Sequence, residues 1–408
     1  MSNVFNSDVH KQVYIAGVQD ENRDSVPMKV VAEIETEPAE YMYNRYGSDM
    51  TAQLSTDSSY TTPDFTYSAD SKLIDVEAIA ADRITYKELS RQGFDLVADR
   101  TDKHAFAISQ AVHRTAYRAT RLGASDTIDG LDITGSGSAG DRLTLSSSNP
   151  DDVAATAIQF LQESNAFTGQ NPYAMLTPKQ AKNFNLFSMG AGFSFADKAL
   201  AGSAFMVGNA RVIRGAMGFG GLDLIVTNET ERYRVATFSG AYTAAGTMTI
   251  TVGGTTVTFT ANASPSTAGQ FDVEGGAEAQ IDTLVLAING TGTTGTDTYV
   301  DVSAADRQRL KDWGVRARKL SATTMEVSAF VDFTLAENDA AVTLGTATSP
   351  IMIGAYNSTT IAMPSNGANV VEKEPPLFSG IELMFSQLHD ATVWTKNAPK
   401  IKEILIAA

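Results

Sequence analysis

The stretch DRTDKHAFAISQAVHRTAYRATRLG, residues 99–123, decides the fold of this chain. Its apolar residues recur at steps of three and four, which is the spacing of one face of an α-helix. That apolar stripe consists of Ala105, Ile108, Val112, Ala116, Ala119 and Leu122. The pattern predicts a helix over residues 99–122 that is stopped by Gly123. At 1.5 Å per residue such a helix is roughly 36 Å long.

A second stripe on the same predicted helix is basic. Arg114, Arg118 and Arg121 follow one another at steps of four and three residues, so they share one face. One interpretation is a solvated face near the helix C-terminus, where the helix dipole favours positive charge. The other interpretation is that the three arginines are inter-subunit contacts that pair with carboxylates of a neighbouring copy.

Candidate carboxylates lie upstream, where residues 28–36 alternate in the manner of a half-buried strand. Glu33 and Glu35 occupy one face of this strand, and Glu37 continues the row. Side chains two residues apart on a strand are about 7 Å apart, within a Debye length of about 8 Å. Such a row repels itself unless cations face it. It is either a solvated edge with protective charges or an inter-subunit contact for the arginine stripe.

The composition excludes several kinds of active site. The 408 residues include no cysteine, so disulfides, thiolate metal sites and thiol catalysis are absent. Four histidines are present, and His104 and His113 lie nine residues apart on opposite sides of the predicted helix, where they cannot share a metal. We therefore expect no catalytic residues, no metal site and no cofactor, and predict that the chain is not an enzyme.

The charge of the chain bears on its partners. A formal net charge of -16 and a pI of about 4.7 argue against a protein that coats nucleic acid, since phosphate neutralisation needs a surplus of lysine and arginine. Acidity suits a protein that lies near DNA without gripping it. The start of the chain has no signal-peptide pattern, and no apolar run reaches the roughly 18 residues that a membrane helix needs. We expect synthesis in a bacterial cytoplasm and no membrane partner.

The remaining segments predict a mixed α+β chain. Residues 1–30 are polar without a sustained period and predict an extended arm. Residues 48–71 are rich in Ser, Thr, Asp and Tyr, which is typical of a long exposed hairpin or loop. Asn149-Pro150-Asp151-Asp152 predicts the start of a second helix with an asparagine cap. Three further strands are predicted at Tyr173–Thr177, Ala210–Arg214 and Leu222–Thr227.

Residues 236–345 are dominated by Thr, Ala and Gly and predict a small inserted α+β domain. At its centre, the Gly253-Gly254 dipeptide predicts a two-residue hairpin turn. The predicted cross-strand pairs are Val252 with Thr255, Ile250 with Val257, and Met248 with Phe259. A helix with core positions between Ile281 and Ile288 follows, Ser303 is placed to cap another helix, and alternation from Met325 to Leu335 predicts one final strand.

Four stretches complete the pattern: Val207–Arg214 with Leu222–Asn228, Gly354–Met363, Glu372–Gly380, and Leu383–Trp394 followed by Pro399. Together with the arm, the polar loop, the long helix and the insertion, they resemble the Hong Kong 97-type major capsid protein of tailed double-stranded DNA phages. The resemblance rests on the order of elements and on loose patterns. It covers most of the chain outside the insertion.

The resemblance implies a division of the chain into five parts. They are the N-terminal arm (1–30), the extended loop with its flanking strands (31–98), the peripheral domain with the long helix as its spine and the first part of the axial domain (99–235), the inserted domain (236–345), and the remainder of the axial and peripheral domains (346–408).

The resemblance also implies a function and a set of partners. The chain would be a coat protein that assembles as hexamers and pentamers into the icosahedral shell of a virion, enclosing DNA without sequence-specific binding. A portal and a decoration protein are implied partners. Some family members carry a helical assembly segment before the arm; none is visible here, which implies a separate scaffolding protein.

Three other functions stay open at this point. The chain could be another virion part, such as a tail-tube or decoration protein, although the helix over residues 99–122 argues against a tail tube made mostly of strands. It could be an encapsulin-like compartment shell with the same fold. It could also be an acidic hydrolase that uses carboxylates, although acid pairs such as Asp151 and Asp152 are better explained by helix capping.

Overall fold

The described residues contain helices as well as long runs of consecutive strands, which confirms the predicted α+β class. The computed structural model describes residues 32–35, 41–47, 67–91, 96–164, 166, 172–190, 205–207, 210–214, 222–295, 298–364, 367–373 and 379–408. Within these ranges the helices are α1 (Tyr86–Arg91), α2 (Leu96–Gly123), α3 (Gly130–Thr134), α4 (Pro150–Glu163), α5 (Pro178–Gly190), α6 (Gly276–Asn289) and α7 (Ala304–Asp312). The predicted arm, residues 1–30, lies outside the described residues.

The predicted long helix is α2, which has 28 residues and ends at Gly123. Four of its predicted apolar positions, Ala105, Ile108, Val112 and Ala116, are buried, each at most 4% exposed. The prediction for Leu122 is wrong, because this side chain is 45% exposed. At the last turn Gly123 faces the protein instead, so closely that a Cβ atom there would lie 2.4 Å from Cβ of Val393.

A five-stranded sheet packs along the apolar stripe of α2. Strands are numbered in chain order, and this sheet contains β1 (Ala32–Glu35), β19 (Thr359–Ala362), β21 (Gly380–Thr392), β20 (Ala368–Lys373) and β4 (Val76–Thr85). The long pairing of β4 with β21 runs antiparallel from Thr85 and Gly380 to Val76 and His389. Ala105 and Ile108 of α2 join Leu383 and Phe385 of β21 in one hydrophobic cluster. The helix is thereby fixed to the sheet by its apolar face.

A seven-stranded sheet joins segments from both sides of the insertion. In spatial order its strands are β5 (Asp126–Ile128), β22 (Ile401–Ile404), β18 (Ile351–Gly354), β6 (Tyr173–Leu176), β9 (Asp223–Val226), β8 (Ala210–Arg214) and β7 (Phe205–Val207). Helices α4 and α5 cover one face, with Val153, Leu161 and Phe184 in the shared core. The strands predicted near residues 173, 210 and 222 are confirmed.

The inserted unit contains two four-stranded sheets around one hydrophobic cluster that runs from Ala236 to Leu344. One sheet orders β14 (Arg316–Ser321), β15 (Thr324–Ala329), β10 (Arg232–Phe238) and β17 (Val342–Leu344); the other orders β13 (Gln270–Asp272), β12 (Thr255–Asn262), β11 (Thr247–Val252) and β16 (Thr334–Glu337). All three predicted hairpin pairs are present in the register of β11 with β12.

The single strand predicted from Met325 to Leu335 is wrong. It is divided into β15 and β16, which belong to different sheets. The chain leaves β15 at Phe330, whose amide donates to the carbonyl of Trp313 and whose ring packs edge-on against Tyr117 of α2 at 6.2 Å. Docking of Phe330 on the helix therefore interrupts the strand.

The predicted polar hairpin is present in part. Strands β2 (Tyr41–Gly47) and β3 (Tyr67–Leu73) form an antiparallel two-stranded ribbon, paired from Tyr41 with Leu73 to Gly47 with Tyr67. Residues 48–66, between the two strands, lie outside the described residues. At its base the ribbon is anchored through Met42, which is fully buried against Ala362 and Trp394.

Candidate assembly surface and the charge network beneath it

The arginine stripe of α2 is paired within the chain. Nε of Arg114 donates to Glu229 at 2.8 Å. Nε of Arg118 and Nε of Arg121 donate to the two carboxylate oxygens of Glu231 at 2.6 and 2.7 Å. Both glutamates lie just before β10, so the pairs tie the basic face of α2 to the first strand of the inserted unit.

A second buried carboxylate completes the network. Glu326 of β15 accepts from Arg121 at 2.5 Å and from Arg318 of β14 at 2.9 Å. Ser328, two residues further along β15, donates its hydroxyl proton to Glu231 at 2.7 Å. Arg121 and Glu326 are at most 4% exposed and Glu231 is fully buried. The polar face of β15 is therefore as buried as its apolar face.

The pKa directions follow from this arrangement. Burial alone raises the pKa of Glu231, but Arg121 and Arg118 outweigh it and hold the pKa below its usual value. Burial also acts to raise the pKa of Glu326, but Arg121 and Arg318 outweigh this effect and lower that pKa below its usual value. Burial acts to lower the pKa of Arg121, and the surrounding carboxylates raise it well above its usual value. All three groups are thus charged at neutral pH.

These contacts correct both interpretations of the arginine stripe. A solvated face is wrong for Arg118 and Arg121, whose side chains are 17% and 3% exposed. The predicted pairing of these two arginines with a neighbouring subunit is not supported either, because their own chain supplies the carboxylates. Arg114 is 29% exposed and stays a candidate contact. Sequence reasoning missed Glu229, Glu231 and Glu326.

Glu403 of β22 is a third buried carboxylate beside the network, only 7% exposed. The hydroxyl of Tyr233 bonds to it, but its Oε1 atom has no hydrogen-bond partner in the part of the chain that the structure describes. Burial raises the pKa of Glu403 to about 6, against the opposing effect of Arg121. The charged form of this group is therefore the disfavoured one.

We expect Glu403→Gln to stabilise the protein at alkaline pH. The folded-state pKa lies above the unfolded one, so the neutral group contributes stability that is complete below pH 4.5 and lost as pH rises through about 6. The amide should retain that stability, which predicts a gain of roughly 2 kcal/mol above pH 7 and none below pH 4.5. Urea unfolding at both pH values measures this gain. The control is Glu382→Gln, at a carboxylate that pairs with Arg83 on the surface. An equal gain at both values would contradict the assignment.

Two arginines of β14 border the network at the protein surface. Arg318 is 45% exposed and Arg316 is exposed. Within the described ranges no carboxylate pairs with Arg316. Its charge instead acts on Arg118, whose pKa is lowered by burial and further by Arg316, against the pull of Glu231. The surface next to the network is thus basic.

The predicted acidic row is placed by the backbone of β1. This strand is at the edge of its sheet and pairs in parallel with β19, with Glu33 opposite Thr360 and Glu35 opposite Ala362. Glu37 lies outside the described residues. Whether the row contacts a neighbouring copy stays a prediction.

The histidines are packing residues where they are described. His104 stacks on Phe385 at 4.7 Å between ring centroids. His389 is 1% exposed, and its Nε2 lies 3.0 Å from the hydroxyl of Thr115. In the described ranges there is no cluster of three metal-ligating side chains. Over those same ranges no helix has the length and apolar character needed to cross a bilayer.

No protein-family model and no curated protein matches the chain. Solved structures do. The capsid of cyanophage P-SCSP1u matches with a TM-score of 0.44 and 8% identity, over 93% of this chain and 87% of that one. The capsid of Ralstonia phage GP4 gives 0.43 and 9%, over 93% and 87%. A virus-like particle from Pyrococcus furiosus gives 0.41 and 9%, over 99% and 100%. The chain is similar to these particles.

Proposed function

We propose that this chain is the major capsid protein of a tailed phage and that copies of it assemble into the icosahedral shell around double-stranded DNA. The observation that carries the proposal is the ribbon of β2 and β3. It pairs with no third strand among the described residues; Met42 packs at its base, and the amide of Thr395 and the carboxylate of Asp390 bond to Asp70 and Lys72 of β3. An isolated two-stranded ribbon is marginal in water, so this one needs a surface that another copy can supply.

The rest of the molecule suits a subunit that must transmit force between neighbours. Helix α2 joins the five-stranded sheet through its apolar stripe and the inserted unit through its arginines. Its last turn also reaches Val393. One rigid element therefore links the parts from which interfaces can be built, which supports the role of a spine.

The proposal carries further expectations. Copies associate as hexamers and pentamers, and a scaffolding protein, a portal and a decoration protein are the expected partners. The net charge of -16 supports enclosure of DNA without binding to its sequence. Glu33, Glu35 and Glu37, together with Arg114, are expected to contact neighbouring copies. The protein is made in the host cytoplasm, resides in the virion and is not an enzyme.

The direct test is to express the full chain with and without a candidate scaffolding protein and to examine the product by negative-stain electron microscopy. Closed shells support the proposal. Open tubes would favour a tail tube, and closed shells filled with a host enzyme would favour an encapsulin-like compartment. A monomer that persists at high concentration with scaffolding present would overturn the proposal.

A shortened ribbon gives a sharper prediction. We expect replacement of residues 48–66 by an Asn-Gly turn to abolish shells while leaving the fold intact, because the removed segment lies beyond the last β2–β3 pair, Gly47 with Tyr67. The melting temperature should change by less than about 2 °C, since roughly 1 kcal/mol shifts a chain of 408 residues by only about 1 °C. Sedimentation and calorimetry measure the two properties. Normal shells from the shortened chain would contradict the role given to the ribbon.

A further inference from the structure

The basic surface beside α2 has more positive charge than its own chain neutralises. Five arginines surround it: Arg114, Arg118, Arg121, Arg316 and Arg318. Three carboxylates pair with them, and the buried Glu403 adds a fourth acid nearby. The surplus lies at the exposed end of the network, on Arg316. In a chain with a net charge of -16, such a basic surface is unusual.

The two outward arginines form a regular row. Arg316 is opposite Ser328 and Arg318 is opposite Glu326 in the pairing of β14 with β15, so both lie on the face that meets α2. Residues two apart on a strand are about 7 Å apart. Arg318 already bonds to Glu326, so a partner that pairs with Arg316 and adds a second contact at Arg318 must present carboxylates at that same interval, which an extended acidic strand does.

The partner contacts this row through side chains rather than by adding a strand. β14 is at the edge of its sheet, but Asn289 of α6 closes part of that edge. Its side-chain amide donates to the carbonyl of Ala317 at 2.8 Å and accepts from the amide of Ala317 at 2.9 Å. The backbone between the two arginines is therefore already satisfied.

The chain itself contains an acidic strand with the required interval, β1 with Glu33 and Glu35, and Glu37 continues the row in the sequence. The register of β1 keeps this row from the arginines of its own chain. Ile361 of β19 packs against Val112 of α2, whereas the adjacent Ala362, opposite Glu35, belongs to the cluster of Met42 and Trp394. Positions 33 and 35 therefore lie on the side of the sheet that faces away from α2.

We propose that Arg316 and Arg318 form a docking surface for the acidic strand β1 of a second copy. The inference rests on the proposed function, since it requires copies placed side by side. The partners of the acidic row are then the exposed Arg316 and Arg318, in place of Arg118 and Arg121 of the sequence-based prediction. Charge and interval both match, and Arg114 lies at the same end of the network.

The decisive variant is Arg316→Glu, because its effects on folding and on assembly have opposite signs. In the isolated chain it removes repulsion with Arg118, so the melting temperature should stay the same or rise. Between copies it places a carboxylate against the acidic row, and the yield of shells should fall at least about fivefold. Arg309→Glu is the matched control, an exposed arginine in the same unit whose side chain is 48% accessible. Normal shells from Arg316→Glu, or equal loss from the control, would overturn the inference.

A charge exchange tests the pairing itself. Glu35→Arg alone should reduce shells, and combining it with Arg316→Glu should restore part of the yield, because the ion pair is re-formed with its charges exchanged. A double variant no better than either single variant would refute direct contact. Both single variants are first checked by calorimetry, so a folding defect is not mistaken for lost contact.

A binding measurement separates this inference from the proposed function. The probe is a labelled peptide of residues 31–41, VAEIETEPAEY, with a control peptide in which Glu33, Glu35 and Glu37 are glutamine. Fluorescence anisotropy with the full chain should show binding that Arg316→Glu weakens at least about fivefold. Peptide binding without shell formation would refute the proposed function but support the docking surface. Shell formation with equal binding of the two peptides would refute the docking surface. Tighter binding of a short DNA duplex than of the acidic peptide would refute it as well.

Discussion

Glu231→Ala is expected to lower the free energy of unfolding by about 3–5 kcal/mol, the range for breaking a buried ion pair from one side. The substitution removes the carboxylate that accepts hydrogen bonds from Arg118, Arg121 and the hydroxyl of Ser328. Arg121, whose side chain is only 3% exposed, would keep Glu326 but lose half of its neutralisation. Urea unfolding followed by tryptophan fluorescence measures the loss.

Two comparisons make that expectation specific. Glu229→Ala removes a pair that is 20–29% exposed, so it should cost only about 1 kcal/mol or less. Glu231→Gln keeps the size of the side chain but not its charge. If the charge is the cause, this variant should lose most of the free energy of unfolding that Glu231→Ala loses. An equal effect of Glu229→Ala and Glu231→Ala would show that burial of the network does not govern its strength.

Mild acid is expected to destabilise the protein through the buried His389 and the half-buried His113. Burial lowers the pKa of His113 and of His389 to about 4. The unfolded chain binds protons at pH values near 6.5 while the folded one does not, so stability is present above pH 6.5 and is lost as pH falls toward 4. Between pH 7 and pH 5 each histidine should cost about 2 kcal/mol.

The measurement is the free energy of unfolding as a function of pH. In His389→Gln the slope between pH 7 and 5 should shrink by the share of one histidine, because glutamine does not titrate. Glu403 acts in the opposite direction, gaining roughly 1 kcal/mol over the same interval, so the comparison is cleanest in the Glu403→Gln background. Identical pH profiles for the parent and for His389→Gln would refute the role of this histidine.

Local patterns predicted the elements well where the signal was short-ranged. The periodicity of residues 99–122 predicted α2, and the Gly-Gly dipeptide predicted the register of the β11–β12 hairpin. Ser303 caps α7 as predicted, accepting from the amide of Asp306. The side chain of Asn149 does not cap its helix but accepts from the amide of Ser146 at 2.9 Å, and only the backbone carbonyl of Asn149 accepts from the helix, at the amide of Val153; Pro150 begins the helix nonetheless.

The partners of the arginines could not be predicted in the same way. Glu231 lies 110 residues from Arg121 in sequence, and Glu326 lies 205 residues from it. Alternation in β15 distinguishes its two faces but not what covers the polar one. A row of Glu326 and Ser328 looks solvated in sequence and is buried only because a helix from another part of the chain lies on it. Long-range packing, rather than local preference, decides such pairs.

The amide of Asn289 has a consequence for the solubility of the chain at high concentration. An open strand edge is a template on which identical chains stack into fibres, and the risk grows with concentration. Because Asn289 bonds to both backbone groups of Ala317, it occupies the place that the backbone of a second chain would take. We therefore expect Asn289 to reduce edge-to-edge aggregation of the chain at high concentration.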